Sequence, residues 1–339
     1  MRARFGFLVA AATVLAMSGA QAQPAAEFFK GKTLRFTVVY DPGGTYDLYS
    51  RLLIAHLPRH IPGRPTIVIQ YMPGAGGMTG SLYLYGRAEQ DGTQLGMLPR
   101  DIAINQMLHP EMSRYDARRF NWIGRIASYT GVVFVAAHTG VKTADDLHRI
   151  VVTTGAWGPT TDSYVTPTLL NALAGTRLQI VTGYSGAAEV DLAIERHEVD
   201  ARVASWTSVK TTHGSWLADG SIVVPFQTGL KPHPDLPRLP LVSALATSEE
   251  GRQILQFMNS DSSIGWTMVA PPNVPADRMA TLRQAFDATM QDPEFLAEAK
   301  MRGLEIVAGS GAEVQEVVRQ TIAVAPQAIE RVKAIINTK

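Results

Sequence analysis

The sequence predicts an α/β protein in which mostly parallel sheets are flanked by helices. Its first third repeats one unit, a short apolar strand followed by a glycine-rich loop and a helix. The strands are uninterrupted apolar runs, as expected for parallel strands that are buried on both faces. The glycine loops at Gly43 and Gly74 are about 30 residues apart, which is the length of one βαβ unit. With 339 residues, the chain is long enough for two domains.

The first two units are the clearest. Runs of β-branched and aromatic residues favour strands, and apolar residues at helical spacing after a glycine–proline break favour helices. On this basis the first three strands and the two helices between them are predicted at residues 34–40, 46–57, 66–71, 78–87 and 93–98. Successive parallel strands with right-handed crossovers end at the same edge of a sheet. Both glycine loops should therefore lie at the edge where open α/β sheets bind ligands.

The alternation continues along the rest of the chain. Further strands are predicted at residues 131–137, 150–154, 178–181, 199–203, 222–226 and 266–270, and helices at 167–173 and 187–196. Near the C-terminus apolar residues recur at spacings of three and four, which is typical of amphipathic helices.

The N-terminus has the layout of a secretory signal peptide. Arg2 and Arg4 form a basic region, residues 5–17 are uncharged and mostly apolar, and a small-residue site ends at Ala22. The apolar run is too short to span a bilayer. We therefore expect residues 1–22 to be removed after Ala22 and the remaining chain to be exported.

Composition excludes several kinds of chemistry. The chain has no cysteine, so disulfides, thiolate nucleophiles and Cys-based metal sites are ruled out. Its 31 basic and 30 acidic residues give a net charge of +1, which does not favour nucleic acid. His56 and His60 have helical spacing, but Pro58 lies between them and no acidic ligand follows, so no metal site is predicted. The motif around Ser185 lacks the final glycine of a nucleophile elbow, and no catalytic residue is predicted.

The two glycine loops are candidates for holding an anion. Residues 43–45 and 74–76 precede predicted helices, where free N–H groups and the helix dipole favour negative charge. Neither loop matches a P-loop or a dinucleotide fingerprint. The alternative is that these glycines only make tight turns.

Aromatic and basic residues near the same edge complete the candidates. Five aromatic residues lie in or near predicted loops and together can line a pocket for a flat ligand: Tyr46, Tyr71, Trp157, Tyr184 and Trp206. For each one alone, the alternative is ordinary packing. Arg100 follows the third strand, and Arg202 lies near a predicted strand between domains, so either can form a bidentate link to a distal carboxylate. For each arginine, the alternative is a surface ion pair.

Several stretches resemble one known family. They are residues 38–47, 50–53, 71–80, 90–93, 183–186, 198–200 and 270–275. Together they are similar to the substrate-binding receptors of tripartite tricarboxylate transporters, the Bug family. The resemblance extends over essentially the whole chain after the signal peptide. It departs from the family at Thr45 and Tyr46, where glycine and threonine are usual, and at Tyr164, where histidine is usual.

The resemblance implies a type II periplasmic-binding-protein-like fold with the ligand in a cleft between two domains. The first domain would comprise residues 23–125 plus 264–339, and the second residues 126–263. The implied ligand is a small organic carboxylate of the aliphatic or aromatic di- or tricarboxylate class, delivered to a transporter with a large and a small integral membrane subunit. The protein would be a periplasmic monomer without a metal or cofactor. The expected ligand-binding residues are Gly43, Gly44, Thr45, Tyr46, Asp47, Gly74, Ala75, Gly76, Arg100, Thr161, Asp162, Ser163, Tyr184 and Arg202.

Two other functions remain open from the sequence. One is an exported hydrolase that uses the same cleft. The other is a ligand-sensing partner of a membrane sensor kinase, which the resemblance does not separate from uptake.

Overall fold

The structure is a computed structural model that describes residues 25–158 and 161–337. The predicted signal peptide, residues 1–22, lies outside these ranges. In the described ranges, no helix combines the length and the apolar character needed to cross a membrane.

Strands and helices alternate along the chain. The strands are Thr33–Val38 (β1), Thr66–Tyr71 (β2), Gln94–Met97 (β3), Asn121–Ala127 (β4), Gly131–Ala136 (β5), Val152–Ala156 (β6), Leu178–Thr182 (β7), Ala201–Ser205 (β8), Ile222–Val223 (β9), Trp266–Ala270 (β10) and Gly309–Ser310 (β11). The α-helices are Ala25–Phe29 (α1), Thr45–His56 (α2), Met78–Gly86 (α3), Ile102–Leu108 (α4), Asp162–Ala174 (α5), Ala187–Glu195 (α6), Trp206–Thr212 (α7), Gly214–Ala218 (α8), Glu249–Met258 (α9), Asp261–Ile264 (α10), Ala276–Met290 (α11), Pro293–Met301 (α12), Gly311–Ile322 (α13) and Pro326–Asn337 (α14).

The strands form two sheets. The first has the order β11-β4-β10-β3-β1-β2 and the second β7-β6-β8-β5-β9. The chain leaves the first sheet after β4, builds the second sheet from β5 to β9, and returns to the first with β10. We refer to the parts of the chain around the first and second sheets as the first and second halves.

Both sheets are mixed, whereas the sequence predicted mostly parallel ones. β1 runs parallel to β2 and β3, and β6 runs parallel to β7 and β8. The strands that enter or leave each half run the other way: β10 is antiparallel to β3 and β4, and β5 is antiparallel to β8 and β9. The parallel pairing comes from βαβ units, and the antiparallel pairing follows where the chain crosses between sheets.

Each half buries apolar residues on both faces of its sheet. In β5, Val132 and Phe134 pack in one cluster with Val190, while Val133 and Val135 pack in another with Leu170. This alternation follows from the period of two along a strand. Helices therefore cover both faces of each sheet. The strand ends and the loops after them are left to expose polar groups to a ligand.

Most predicted elements are present, with shifted ends. β2 and β10 match their predicted residues, whereas β4 and β11 were not predicted and β9 is shorter than residues 222–226. Helix α5 begins at Asp162 rather than at Pro167, so the proline lies inside the helix. Proline is commonest in the first turn of a helix, and the prediction therefore began this helix too late.

Candidate functional site

Three loops of the first half begin side by side. Val38 of β1 pairs with Tyr71 of β2 and with Met97 of β3. The loops after these parallel strands therefore leave the same edge of the sheet. We call residues 43–47 loop one and residues 74–77 loop two, and Arg100 belongs to the loop after β3.

Asp47 holds loop one together. Its carboxylate accepts hydrogen bonds from the Gly43 N–H at 2.8 Å, from Arg51 Nε at 2.8 Å and from the Tyr71 hydroxyl at 2.5 Å. Burial alone would raise the pKa of Asp47, but the hydrogen bonds from Tyr71, Gly43 and Arg51 outweigh it and hold the pKa below its ordinary value. Asp47 therefore shapes the loop, and it uses the N–H of Gly43 in doing so.

Loop one still presents backbone donors. The first hydrogen bond of helix α2 runs from the Leu48 N–H to the Gly44 carbonyl at 3.0 Å. The N–H groups of the first helical turn have no acceptor within a helix. Those of Gly44, Thr45 and Tyr46 therefore form a small group of donors at the positive end of the helix dipole.

Loop two is a run of left-handed backbone. The φ angles are 125° at Gly74, 48° at Ala75, 65° at Gly76 and 89° at Gly77. Ala75 is strained there, because an L-residue with a side chain disfavours this region. A Cβ on Gly77 would lie 2.6 Å from a side-chain carbon of Pro99, so loop two packs directly on the loop after β3.

Two tyrosines join the three loops. The Tyr40 hydroxyl donates to the Gly76 carbonyl at 3.2 Å, and the Tyr40 and Tyr46 rings lie 4.6 Å apart. The Tyr46 hydroxyl accepts the N–H of Arg100 at 3.0 Å. Burial raises the pKa of Tyr46 to about 12, so its hydroxyl stays protonated at neutral pH. The structure thus brings loop one, loop two and Arg100 into one contiguous group.

Arg100 connects the two halves. Its Nε donates to Asp261 at 2.8 Å and its Nη2 donates to Asp162 in the first turn of α5. The guanidinium carbon lies 3.9 Å from the centroid of the Tyr129 ring. Tyr129 and Asp261 lie in the two connections between the sheets, since their neighbours are β4 and β5 on one side and β10 on the other.

The environment of Asp261 is crowded with negative charge. The residue is 8% exposed. Burial raises its pKa, Arg100 lowers it, and the carboxylates of Asp162 and Asp101 raise it further, to about 7. Close to neutral pH this group changes its charge at the meeting point of the two halves.

The loops of the second half lie at one edge of its sheet. β6 and β7 are parallel, with Ala156 opposite Thr182, so the segments that carry Thr161 to Ser163 and Tyr184 leave side by side. Thr161 Oγ1 lies 2.6 Å from Ser163 Oγ, and Asp162 between them reaches Arg100. Tyr184 is half-buried against the core of the second half.

The structure does not join Arg202 to this group. Arg202 is the second residue of β8 and is 4% exposed. It forms an ion pair with Asp191 and lies 3.1 Å from Nε2 of His213, with Phe134 beneath its guanidinium. All of these partners belong to the second half, so the contacts of Arg202 are internal to that half.

The sequence did not indicate Tyr40, Asp101, Tyr129 or Asp261. Asp101 follows Arg100 directly, and this adjacency was a usable signal. Tyr129 and Asp261 reach the site only because the chain crosses twice between the sheets, and nothing in their local sequence marks them.

Histidine clusters elsewhere are satisfied by carboxylates or by lysine. His56 contacts Glu298 at 2.6 Å, and His60 contacts Asp292 at 2.8 Å. His233, Asp235 and Glu305 lie close enough to share an ion, but the Lys210 ammonium donates to Asp235 at 2.7 Å and also to Glu305. That ammonium supplies the positive charge that a metal would bring.

Comparison with known proteins identifies a family and a fold. The sequence profile of a family described as tripartite tricarboxylate transporter family receptor matches residues 58–337. No curated protein sequence matches the chain.

Several solved structures share the fold. The periplasmic binding protein BugD is 20% identical, with a TM-score of 0.63, over 90% of this chain and 97% of its own. Rpa4515 of R. palustris with adipate is 20% identical, with a TM-score of 0.64, over 90% and 97%. MatC of Rhodopseudomonas palustris with bound malate is 17% identical, with a TM-score of 0.60, over 90% and 99%. At these identities the likeness establishes the fold, and the profile match over most of the chain establishes that the protein belongs to the tripartite tricarboxylate transporter receptor family.

Proposed function

We propose that this protein is a periplasmic solute-binding receptor that captures a small organic carboxylate in the cleft between its two halves. The single observation that carries the proposal is the pair of glycine loops at adjacent strand ends, of which loop one presents backbone donors at the start of helix α2. Family membership supports the receptor role. Two proteins of the same fold are described with the carboxylates adipate and malate.

One ligand carboxylate would sit between the loops. Gly44 and Thr45 would donate from loop one, and Ala75 and Gly76 from loop two. Gly43 and Asp47 would shape loop one, because the Gly43 N–H already donates to Asp47. In a cleft from which water is excluded, such N–H contacts are stronger than in solution.

The second half would close over the ligand. Under this proposal residues 23–125 plus 264–339 form one domain and residues 126–263 the other. Thr161, Asp162, Ser163 and Tyr184 would face the ligand from the second domain, opposite Tyr46 and Gly74. Hinge closure around a ligand is a common motion of periplasmic binding proteins.

The proposal includes the protein's location and partners. Residues 1–22 would direct export, and the receptor would act as a monomer that delivers its ligand to the large and small integral subunits of a tripartite transporter. It would bind without turnover, so incubation with carboxylate esters should release no product.

A thermal-shift screen across mono-, di- and tricarboxylates tests the proposal. A ligand that binds only the folded state raises the melting temperature as its concentration exceeds Kd. If no aliphatic or aromatic carboxylate raises the melting temperature at millimolar concentration, the proposal is wrong.

The substitution Gly76→Val tests the role of loop two. Gly76 has φ +65° and no atom within 4 Å of an added Cβ, so the valine side chain would project into open space and block close approach of a ligand. Gly140→Val is a matched control, because Gly140 has φ +81° and is equally open but lies outside the loops. Both variants should lose similar stability, and only Gly76→Val should abolish carboxylate binding. Unchanged affinity in Gly76→Val would mean that loop two is only a turn.

A further inference from the structure

Arg100 is the cation that a second ligand carboxylate would pair with in the proposed cleft. The edge of its guanidinium that could hold a carboxylate side-on already donates to other groups. That edge is formed by Nε and Nη2, which donate to Asp261 and Asp162. One face of the guanidinium lies on the Tyr129 ring. A bidentate carboxylate needs two parallel N–H donors, and on this edge both donors serve carboxylates of the chain itself.

Asp101 adds a third carboxylate, and one of its two oxygens is unpaired among the described residues. It precedes helix α4, but its side chain makes no capping hydrogen bond. Its Oδ1 is shielded from solvent and has no hydrogen-bond partner in the described part of the chain. An acceptor shielded from water and left unpaired costs free energy, and a donor that reached it would recover that cost.

The three carboxylates and Arg100 act on one another. The charges of Asp101 and Asp162 raise the pKa of Asp261, and the charge of Asp101 also raises the pKa values of Tyr40 and Tyr46. Asp101 directly follows Arg100, whose backbone N–H donates to the Tyr46 hydroxyl at 3.0 Å, so Asp101 lies close to the tyrosines that join the two glycine loops. Around Arg100 the cleft presents more carboxylates than its one guanidinium can neutralise.

We propose that the cleft selects a carboxylate whose far end carries a protonated amine, and that Asp162 excludes a second ligand carboxylate by occupying Arg100. The amine would donate to Asp101 and would be attracted by the excess of negative charge. A second ligand carboxylate would lie close to the aspartates in a cleft with little water, and such like-charge contacts weaken binding. The inference rests on the proposed function, because the glycine loops must hold the first carboxylate.

Ligands matched in length and differing only at the far end test this selectivity. One set is adipate, hexanoate and 6-aminohexanoate, a second is succinate, butyrate and 4-aminobutyrate, and an aromatic set is terephthalate, 4-methylbenzoate and 4-(aminomethyl)benzoate. Calorimetry with the intact exported chain should give the highest affinity for the amine-ended ligand and the lowest for the dicarboxylate within any set that binds. We expect at least about a tenfold difference in Kd between these two ends, since like-charge contacts oppose binding.

The outcomes separate the inference from the proposed function. The inference is overturned if the dicarboxylate binds most tightly in a set, or if the three ligands of a set bind with equal affinity. Either result leaves the proposed function standing. If no carboxylate of any set binds, both are wrong.

The variant Asp162→Asn tests the assigned residue. It removes one negative charge and weakens the contact with Arg100 Nη2, so the affinity for the dicarboxylate should rise relative to the neutral-ended ligand, by roughly tenfold for the removal of a like-charge contact. Asp116→Asn is the control, because Asp116 also pairs with an arginine, Arg118, but on an exposed surface. An unchanged ranking in Asp162→Asn would overturn the assignment, and the wild-type ranking tests the selectivity even if this variant fails to fold.

Discussion

Arg100 and Arg202 are alike in their surroundings and differ in what they connect. Each forms ion pairs, and each guanidinium lies over an aromatic ring. The partners of Arg202 all belong to the second half, whereas Arg100 of the first half reaches Asp162 of the second and Asp261 of a connection. The side chain of Arg100 is 18% exposed and that of Arg202 only 5%. The same residue type therefore stabilises one half in one case and joins the two halves in the other.

The two arginines differ in what happens to their ion pairs, Arg100–Asp162 and Arg202–Asp191, when the halves separate. Opening the cleft would return Asp162 to water, because its side chain is already 47% exposed. Separation of the halves leaves Asp191 and His213 where they are, against Arg202. We therefore expect the Arg202 cluster to contribute to the stability of the fold and the Arg100 cluster to the equilibrium between open and closed forms.

The largest expected effect is the loss of stability in Arg202→Met. The substitution removes the guanidinium and leaves the Asp191 carboxylate with His213, at 3.2 Å, and breaking a buried pair costs about 3–5 kcal/mol. Urea denaturation measures the change in the free energy of unfolding. Arg118→Met is the control, because Arg118 pairs with Asp116 on an exposed surface, where ion pairs contribute little to stability. Equal losses in the two variants would contradict the distinction drawn here.

A smaller loss of stability is expected in Arg100→Met. Asp162 can be solvated and Asp261 can take up a proton, so we expect a cost of about 1.5–3 kcal/mol, the range for hydrogen bonds to charged groups. Small-angle X-ray scattering should show a larger radius of gyration for Arg100→Met, because the tie between the halves is lost. Arg202→Met should keep the wild-type radius under conditions where it is folded. A more extended Arg202→Met, with a compact Arg100→Met, would reverse the assignment of the two clusters.

The sequence predicted the position of Arg100 better than its role. The rule that parallel strands end at one edge placed Arg100 beside the glycine loops, and the structure joins them through Tyr46. Its partners could not be predicted, because Asp162 and Asp261 are 62 and 161 residues away in the chain. Arg202 was expected near the cleft from the same rule, but it lies within its strand and faces Asp191.

The missed strand β4 has a comparable explanation. Gly124 in this strand lies under Phe286, where an added Cβ would be 2.2 Å from the ring. Glycine is poor in strands by propensity, so local rules discount a segment that long-range packing requires. By contrast, β2 and β10 are apolar runs without such a conflict, and both were predicted at their observed residues.

The third effect is a pH dependence that has opposite directions in the two clusters. The pKa of Asp261 is raised from 3.8 to about 7, so between these values the folded chain holds a proton that the unfolded chain has released. Raising the pH through this window favours the ionised unfolded chain, because the folded chain keeps its proton until about pH 7. The free energy of unfolding should therefore fall as the pH rises across this window.

Asp191 should act in the opposite direction and in a different window. Burial raises the pKa of Asp191, but hydrogen bonds from His213 and Arg202 lower it more, so that the net shift is below the ordinary value of 3.8. Its contribution to stability is present above that value and is lost in acid, as the pH falls through the lowered pKa.

Thermal melts of the wild type and of Asp261→Asn, from about pH 4 to about pH 8, separate the contribution of Asp261 from that of Asp191. The decline with rising pH should be shallower in Asp261→Asn than in the wild type, while Asp191→Asn should keep the wild-type slope, because the lowered pKa of Asp191 leaves that group ionised in this range. A wild-type slope in Asp261→Asn would show that other groups carry the decline, and the Arg100 cluster would then lack the titratable charge that sets it apart from the Arg202 cluster.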